Sequence, residues 1–296
     1  MLGGSGLKRV AVVAKPGSRE ATRVAGELAE WLVRRELQVS LDETTLRAVG
    51  TKAMEAYDPA GRYGLVVALG GDGTLLSVAR GRVGAVPLLG VNLGNLGFLT
   101  EVRRSELYPT MVSILAGNYT LEERSLLQVD IYRQAGSQTS FRAFNDAVIA
   151  KGTRSRIIDL NLTVDSRLVA RYRADGLIVS TPTGSTAYNL SANGPILHPL
   201  LPVTVITPIC PHTLSIRPLA VPDSSSIEVI LETKREEVHL TVDGQEGTTI
   251  RYRDRIRVTR HANRVLLVKA HDRSFYDSLR EKLRWGGLGT PGEPTP

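Results

Sequence analysis

The feature that most constrains this chain is a run of five apolar residues, 65–69, that leads directly into Gly70-Gly71-Asp72-Gly73-Thr74. Such a run predicts a parallel strand that is covered on both faces. The glycines after it permit positive φ angles and let a ligand approach bare backbone. Thr74 is a candidate N-cap for a helix that begins at Leu75. A strand, a glycine turn and a helix N-terminus together predict a phosphate-binding loop at Gly70, Gly71 and Thr74.

Asp72 makes this turn more informative than a simple anion site. A carboxylate beside a polyphosphate repels it, unless a cation intervenes or the carboxylate takes a proton from the attacking group. These are the two tasks that a carboxylate performs in phosphoryl transfer, so Asp72 is a candidate general base or magnesium ligand. The alternative is a Gly-Asp-Gly turn that only ends a strand.

Length and composition set the broad class. The chain has 296 residues, which favours two domains, and its 42% apolar and 23% charged content is ordinary for a globular protein. No run of eighteen apolar residues and no signal-like N-terminus occurs in the sequence, so we expect a cytoplasmic protein without a membrane partner. A single cysteine, Cys210, excludes an internal disulfide and cannot by itself build a zinc site.

The net charge of +7 favours anionic partners. Arginine outnumbers lysine here, and its guanidinium group can bind a phosphate through two parallel hydrogen bonds. The basic residues are spread along the whole chain, however, and aromatic residues make up only 5% of it, which leaves few rings to stack on bases. We therefore expect no nucleic-acid partner.

The first hundred residues alternate between strand and helix patterns. Strands are predicted at 9–14, 39–41, 65–69 and 86–91, and helices at 21–37, 46–57, after Thr74 and at 105–115. This alternation predicts an α/β domain over 1–119, a doubly wound parallel sheet that binds ligands at the carboxyl ends of its strands. The glycine-rich segment 90–99 follows one strand and is expected to line the same crevice. The glycines of this segment do not have the G-x-G-x-x-G spacing, and no P-loop motif occurs in the chain.

From about Leu121 the apolar period changes to two, which indicates half-buried strands. Strands are predicted at 127–131, 158–165, 227–231, 238–242 and 255–258, with a further apolar run at 264–269. These strands predict a β-rich, sandwich-like domain over 120–270. A helix is expected within 271–285, packing back on the protein, and 286–296 is expected to be a flexible tail because it is rich in Gly and Pro.

Three polar loops interrupt the strands of the second half. In the segment 175–191, hydroxyls at 180, 181, 183, 185 and 186 outnumber those that capping requires, which predicts ligand contact at a second helix N-terminus that favours anions. Asn145 and Asp146 could hold an adenine edge and ribose hydroxyls, although such a pair is most often a turn. Asp243-Gly244 is mainly a hairpin signal.

Together these loops resemble one family, the ATP-dependent NAD kinases. The matching segments cover most of the chain in the family's order: 70–74, 92–99, 145–146, 175–191, 194–197, 211–218 and 243–245. The first is shared with diacylglycerol, sphingoid-base and 6-phosphofructo-kinases, whereas Thr-Pro-Thr-Gly-Ser-Thr-Ala-Tyr at 181–188 is far more diagnostic. The resemblance implies an α/β domain followed by a β-rich domain, and transfer of the γ-phosphoryl of ATP to the 2′-hydroxyl of the adenosine ribose of NAD, giving NADP.

The resemblance also implies roles, position by position. Asp72 is similar to the family's base for the 2′-hydroxyl, and Gly73 to a backbone contact. Asn145 and Asp146 match the pair that holds the adenosine portion. Further contacts with the dinucleotide are implied at Asp175, Thr186, Ala187, Tyr188, Asn189, Leu190 and Ser191. Four further residues match positions that also line the family's site: Arg156, Arg173, Cys210 and Gln245.

Two positions depart from the family's pattern. Glutamate often stands where this chain has Asp146, so the carboxylate here is shorter by one methylene. A small residue such as alanine is common where this chain has Cys210, and a free cysteine at such a place is expected to be a small buried apolar residue.

The resemblance implies magnesium or another divalent ion, with no metal ligands assigned, ATP or inorganic polyphosphate as donor, and a homodimer or homotetramer. Two alternatives stay open at this point. A lipid or sphingoid-base kinase would share the Gly-Asp-Gly turn but should carry an apolar lid for acyl chains. A non-catalytic NAD(P)-binding regulator would keep the second-half loops and lose Asp72, which is intact here.

Overall fold

A computed structural model describes residues 7–51, 53–81, 86–94, 97–134, 136–213, 215–269 and 273–284. The chain divides into two units. The first comprises the described residues of Met1–Glu122 and Leu266–Pro296, and the second comprises Glu123–Val265. None of the described helices is both long enough and apolar enough to cross a membrane.

The first unit is built on a mostly parallel sheet whose central strand is the predicted apolar run. All six residues of that strand, Leu65–Gly70, are buried, as a strand covered on both faces requires. The elements of this unit in chain order are β1 Arg9–Ala14, α1 Arg19–Val33, β2 Gln38–Leu41, α2 Glu43–Val49, β3 Glu55–Ala56, β4 Leu65–Gly70, α3 Asp72–Gly81, β5 Pro87–Asn92, β6 Val102–Arg103, α4 Leu107–Leu115 and β7 Thr120–Arg124. The sheet order is β3-β2-β1-β4-β5, after which the sheet continues with strands that include β6 and β7.

Local sequence accounts for the helices of this unit. The predicted stripe of α1 is buried through Ala21, Leu28 and Leu32, and Ser18 caps the helix by accepting from the Ala21 N–H at 3.2 Å. The prediction of a helix at 46–57 was wrong in its bounds. Asp42 caps α2 four residues earlier, and Gly50, at φ 64°, ends it in the left-handed conformation. The chain is then free to add the short strand β3.

The second unit contains two antiparallel sheets of six strands, which confirms the predicted β-rich, sandwich-like domain. Its elements are β8 Leu127–Tyr132, β9 Gln138–Ala143, β10 Asp146–Lys151, β11 Ile158–Val164, β12 Arg167–Ala174, β13 Gly176–Ser180, α5 Tyr188–Ser191, β14 Val203–Ile209, β15 Leu219–Pro222, β16 Ile227–Leu231, β17 Val238–Val242, β18 Glu246–Ile250 and β19 Arg255–Arg260. One sheet has the order β15-β14-β13-β10-β17-β18 and the other β12-β11-β16-β19-β8-β9. The apolar residues of both sheets share one core.

The chain then returns to the first unit, which the sequence did not indicate. The apolar run predicted for the second domain forms β20, Val265–Lys269, and this strand pairs in parallel with β5, Leu266 opposite Pro87. A nearly continuous apolar run suits a covered parallel sheet better than a half-exposed sandwich strand, since Leu267 and Val268 are both buried. The boundaries predicted at 120 and 270 therefore differ from the observed ones at both ends.

The last described element is α6, Phe275–Leu283, which begins with a capping box between Ser274 and Asp277. Its Glu281 accepts a hydrogen bond from Arg103 at 3.2 Å, so this helix is bonded to β6 of its own unit. The predicted flexible tail at 286–296 lies outside the described residues.

Candidate functional site

The predicted phosphate loop lies where β4 ends, but its helix starts earlier than the sequence suggested. α3 begins at Asp72, so Thr74 lies inside the first turn and is not the N-cap. The N–H groups of Thr74 and Leu75 both donate to the Gly71 carbonyl, at 3.0 and 3.3 Å. Asp72 is therefore the first residue of a ten-residue helix, at the positive end of its dipole.

The Asp72 carboxylate is held by the turn at residues 98–100. Its Oδ1 accepts from the Leu99 N–H at 3.1 Å and from both the N–H and the hydroxyl of Thr100, at 3.0 and 2.9 Å. Among the described residues, its Oδ2 accepts from one group, the Phe98 N–H, at 2.8 Å. A carboxylate offers about four lone-pair positions, two on each oxygen. Oδ2 can therefore accept a further hydrogen bond, whereas Oδ1 cannot.

Asn92, at the end of β5, supports this arrangement from the neighbouring strand. Its side-chain N–H donates to Thr100 Oγ1 at 2.9 Å, and its Oδ1 accepts from the Gly94 N–H at 2.7 Å. Asn92 and Thr100 are both buried. Their interactions extend from one strand end to the carboxylate at the next strand end, and they fix its orientation through hydrogen bonds that water cannot easily replace.

Two of the glycines around Asp72, Gly70 and Gly97, allow close packing, and none of Gly70, Gly71 and Gly97 adopts the predicted positive φ. A Cβ on Gly70 would lie 2.4 Å from Thr74 Oγ1, and a Cβ on Gly97 would lie 1.9 Å from Asp72 Oδ1. The position at 97 thus admits no side chain while the Asp72 carboxylate is held as observed.

In the second unit, Asp243 organises the turn that precedes β10. Its carboxylate accepts from the N–H groups of Phe144, Asn145 and Asp146, with the shortest bond 2.7 Å from Asn145. Asp243 and Gly244 have φ of 49° and 65°, as the predicted hairpin turn requires. The hairpin signal therefore has a second use, because it places a carboxylate that shapes the Asn145-Asp146 pair.

Asn145 and Asp146 present polar groups that the protein does not satisfy. Asn145 Oδ1 is buried and has no hydrogen-bond partner among the described residues. The Asp146 side chain is buried, and no hydrogen bond to its carboxylate occurs within the described part of the chain. Burial, with a smaller contribution from the Asp243 charge, raises the pKa of Asp146 to about 7. Buried polar groups without partners are uncommon and are satisfied by ligands or water at binding sites.

The hydroxyls of the segment 180–186 are used internally, contrary to the inference from their number. Thr181 Oγ1 donates to the Phe144 carbonyl at 2.7 Å and accepts from the Gly184 N–H at 3.0 Å. Ser185 Oγ donates to the Pro182 carbonyl and accepts from the Leu197 N–H. Hydrogen bonds to other protein groups likewise involve Ser180, Thr183 and Thr186. All five hydroxyls take part in hydrogen bonds within the protein, so their number is not evidence for a ligand.

The predicted second anion site at a helix N-terminus also loses its basis. After a 3₁₀ turn at Thr183–Thr186, α5 has only four residues, too few for an appreciable dipole. Asn189 is fully buried, and both its side-chain N–H groups are used by the Ser185 and Pro195 carbonyls. Its side chain is thus part of the scaffold. Tyr188 is 46% exposed.

Four other predicted site residues lie away from Asp146: two lie at the opposite end of its sheet, one lies in the loop after β10 and one lies on β12 of the other sheet. Asp175 directly precedes β13 and pairs with Lys151 at the far end of β10, 2.9 Å away. Cys210 directly follows Ile209, the last residue of β14. Ile209 pairs with Gly176, the first residue of β13. Cys210 is exposed and has a φ of 46°, so the expectation of a small buried residue was wrong. Arg156 and Arg173 are also exposed, in the loop after β10 and on β12.

Gln245 is exposed in the β17–β18 turn, next to Asp243. Sequence reasoning missed Thr100 and Asn92 as individual members of the Asp72 site, and it missed the role of Asp243. The signals were weak, since a threonine at the end of a glycine-rich loop and an Asp-Gly hairpin turn are both common. Only the partners of these side chains distinguish them.

Comparisons with known proteins agree along the whole chain. The ATP-NAD kinase N-terminal domain family matches residues 10–119, and the ATP-NAD kinase C-terminal domain family matches residues 144–270. An NAD kinase of Geotalea daltonii is 44% identical over 283 residues, 95% of this chain and 99% of that protein. A crystal structure of yeast NADH kinase with NADH has a TM-score of 0.90 at 25% identity and covers 98% of this chain and 91% of its own. An Archaeoglobus fulgidus NAD kinase solved with ATP has a TM-score of 0.73 at 26% identity, covering 93% and 98%.

Proposed function

The chain belongs to the ATP-NAD kinase family and catalyses transfer of the γ-phosphoryl of ATP to the 2′-hydroxyl of the adenosine ribose of NAD, and from this premise we propose how its residues divide the work. The proteins similar to it are NAD or NADH kinases, and neither a lipid kinase nor a regulator gains support from them. Each residue role is inferred from contacts within a single unit.

We propose that Asp72 is the general base and that Oδ2 is the atom that accepts the proton. A ribose hydroxyl is a poor nucleophile near neutral pH and needs a positioned base. The observation that supports this role is the uneven distribution of donors, with three on Oδ1 and one on Oδ2. Oδ1 fixes the carboxylate, and Oδ2 retains a lone pair for the proton. Because the carboxylate is held by rigid donors, it is oriented before the substrate arrives.

Gly70, Gly71, Gly73 and Thr74 are inferred to form the phosphate-binding turn. Their main support is their position at the N-terminus of α3, where the helix dipole favours an anion. Gly70 and Gly71 have no side chain between the backbone and a ligand, and Gly73 is the second residue of the helix. The turn would hold the donor phosphates, whether the donor is ATP or inorganic polyphosphate.

A divalent ion such as magnesium fits the residues of this turn. Among the described residues no group of three or more His, Cys, Asp or Glu could hold a metal alone. Magnesium usually keeps several waters and is bound largely through substrate phosphates, so the nucleotide phosphates and water would hold it beside this turn while Asp72 Oδ2 stays available for the proton. When bound, the ion would neutralise phosphate charge and so reduce the repulsion between Asp72 and the donor.

The second unit is inferred to hold the adenosine half of NAD. The support is the pair of unsatisfied polar groups, the buried Oδ1 of Asn145 and the carboxylate of Asp146. Ribose hydroxyls can donate to both, which would remove the cost of leaving them without partners. Further contacts are proposed for Thr186, Ala187, Tyr188, Leu190, Ser191 and Gln245, and the Asn189 side chain is proposed to hold that segment in place.

We infer a homo-oligomer in which a second copy completes the dinucleotide site. Asp146 and Lys151 are the two ends of β10, which at about 3.3 Å per residue lie about 17 Å apart. The neighbouring strand β13 is buried over its whole length, so a ligand cannot lie along it from Asp146 to Asp175. Asp175, Arg173, Arg156 and Cys210 are therefore proposed to contact the dinucleotide of another copy.

Mixing inactive variants tests this inference. Asp146→Ala and Asp175→Ala proteins are each expected to lose most NAD phosphorylation. After the two are mixed and reassembled, some sites would contain both native carboxylates, so activity should reappear. If a mixture that is shown by native mass spectrometry to contain mixed oligomers stays as inactive as its parts, Asp175 does not serve a neighbouring copy.

The role of Asp72 is tested by Asp72→Asn. This change keeps the shape and removes the proton acceptor, so turnover with ATP, magnesium and NAD should fall at least about 100-fold. NAD affinity, measured by calorimetry, should stay within a few fold of the parent value. Turnover close to that of the parent would remove Asp72 from this role.

A cytoplasmic location remains a prediction from the sequence.

A further inference from the structure

A buried ion pair lies one residue beyond the turn that holds Asp72. Lys269, the last residue of β20, pairs with Glu101, and the two side chains are only 10% and 17% exposed. Glu101 follows Thr100, whose N–H and hydroxyl both donate to Asp72 Oδ1. It precedes Val102, the first residue of β6. Glu101 is thus the covalent link between the Asp72 contact and the edge of the sheet.

The turn at 98–100 has few other attachments. It contains no helix or strand, and within the described part of the chain its hydrogen bonds run to Asp72 and, through Thr100 Oγ1, to Asn92. Another link between the C-terminal segment and this region is the pair of Arg103 with Glu281, whose side chains are 57% and 41% exposed. Exposed pairs contribute little to position, whereas loss of one partner from a buried pair leaves a charge that must move to water.

We propose that Lys269 is a positioning residue for Asp72: through Glu101 it fixes Thr100, and Thr100 fixes the catalytic carboxylate. Without the Lys269 ammonium, the Glu101 carboxylate would turn towards solvent and draw Thr100 with it. Two of the three donors on Asp72 Oδ1 would then be displaced. This gives a chemical reason for the return of the chain to the first unit after β19, because that return supplies the cation.

The inference rests on the proposed role of Asp72, and its test separates the two. In Lys269→Met, kcat for NAD phosphorylation should fall about 10-fold, since small displacements of a reacting group have large effects on rate. The KM values for NAD and ATP should stay within about 3-fold of the parent values, because no substrate contact is removed. Lys269→Arg, which keeps the charge, should restore most of the lost kcat.

Arg47→Met is the matched control, since it removes the cation of an exposed pair with Glu43 on α2. Thermal melts of every variant show whether the protein is folded at the assay temperature, and Lys269→Gln replaces Lys269→Met if the latter is not. A folded Lys269→Met or Lys269→Gln protein with kcat within twofold of the parent overturns the inference, as does a rise in KM without a fall in kcat. In that event an inactive Asp72→Asn protein would show that the proposed base stands, whereas an active one would overturn the base itself.

Discussion

Asp72 in the first unit and Asp146 in the second are the same residue type, yet the protein treats them in opposite ways. The Asp72 carboxylate accepts four hydrogen bonds. Within the described part of the chain the Asp146 carboxylate accepts none, and burial raises its pKa to about 7. The donors near Asp146, the N–H groups of residues 144–146, are directed instead at Asp243. One carboxylate is fixed by the protein, and the other is left for a ligand to satisfy.

The largest effect expected from this contrast is on stability, through Asp146. Because its pKa is raised in the folded state, the folded protein keeps a proton that the unfolded chain loses above about pH 4. Stability attributable to this group therefore falls as pH rises from about 4 to about 7 and is constant above that. Asp146→Asn carries no such proton, so it should be more stable than the parent at pH 8, by up to about 4 kcal/mol, and similar to it near pH 4.

Urea denaturation without nucleotide at the two pH values measures this difference. Asp130→Asn is the matched control, since the buried Asp130 carboxylate accepts hydrogen bonds from Gln128 and Ser140, both at 2.7 Å. The control should gain nothing at pH 8. Equal stability of Asp146→Asn and the parent at both pH values would mean that Asp146 is not an unsatisfied carboxylate.

The next effect tests the fixed carboxylate. In Gly97→Ala the new methyl would lie 1.9 Å from Asp72 Oδ1, so the carboxylate must leave its donors. We expect turnover to fall at least about 100-fold, comparable to removal of the base. Gly81→Ala, at the end of α3 where a Cβ meets nothing within 4 Å, is the control and should stay near parent activity. Wild-type turnover in a folded Gly97→Ala protein would show that Asp72 works from another orientation.

The smallest effect comes from Thr100→Val, which removes one hydroxyl and leaves the three backbone donors to Asp72 in place. Of the two hydrogen bonds lost, one to Asp72 and one from Asn92, the bond to Asp72 contributes about 1 kcal/mol, so kcat should fall about 5-fold. Steady-state kinetics should show the loss in kcat, with the KM for NAD nearly unchanged. If kcat instead falls as far as in Gly97→Ala, the orientation of Asp72 depends on all four donors together.

Local pattern was sufficient to predict much of the fold. β1, β16 and β17 occupy the predicted residues 9–14, 227–231 and 238–242, and β4 matches to within one residue. Strand periodicity is a property of neighbouring residues, which is why sequence alone carries it. The Asp-Gly hairpin at Asp243 was likewise readable from two residues, because its turn needs φ angles that few residues adopt.

Predictions failed where a residue's partner is distant in the chain. The hydroxyls of 180–186 looked like an excess partly because two of their acceptors, the Phe144 and Asn145 carbonyls, lie 37 and 35 residues away. Cys210 was expected to be buried, and its exposure follows from its position just beyond the end of β14. β20 was assigned to the wrong sheet, since an apolar run does not specify which strand it pairs with.

The sequence by itself determined the strands, the glycine turn that carries Asp72 and the family to which the chain belongs, because each depends on residue types at fixed short spacings. Tertiary structure alone decided which carboxylate is held and which is left without donors. That choice depends on N–H groups and hydroxyls brought from 26 to 28 residues away for Asp72 and from 97 to 99 residues away for Asp243. Hydrogen bonds act only over about 3 Å, so no local pattern can assign them before the chain has folded.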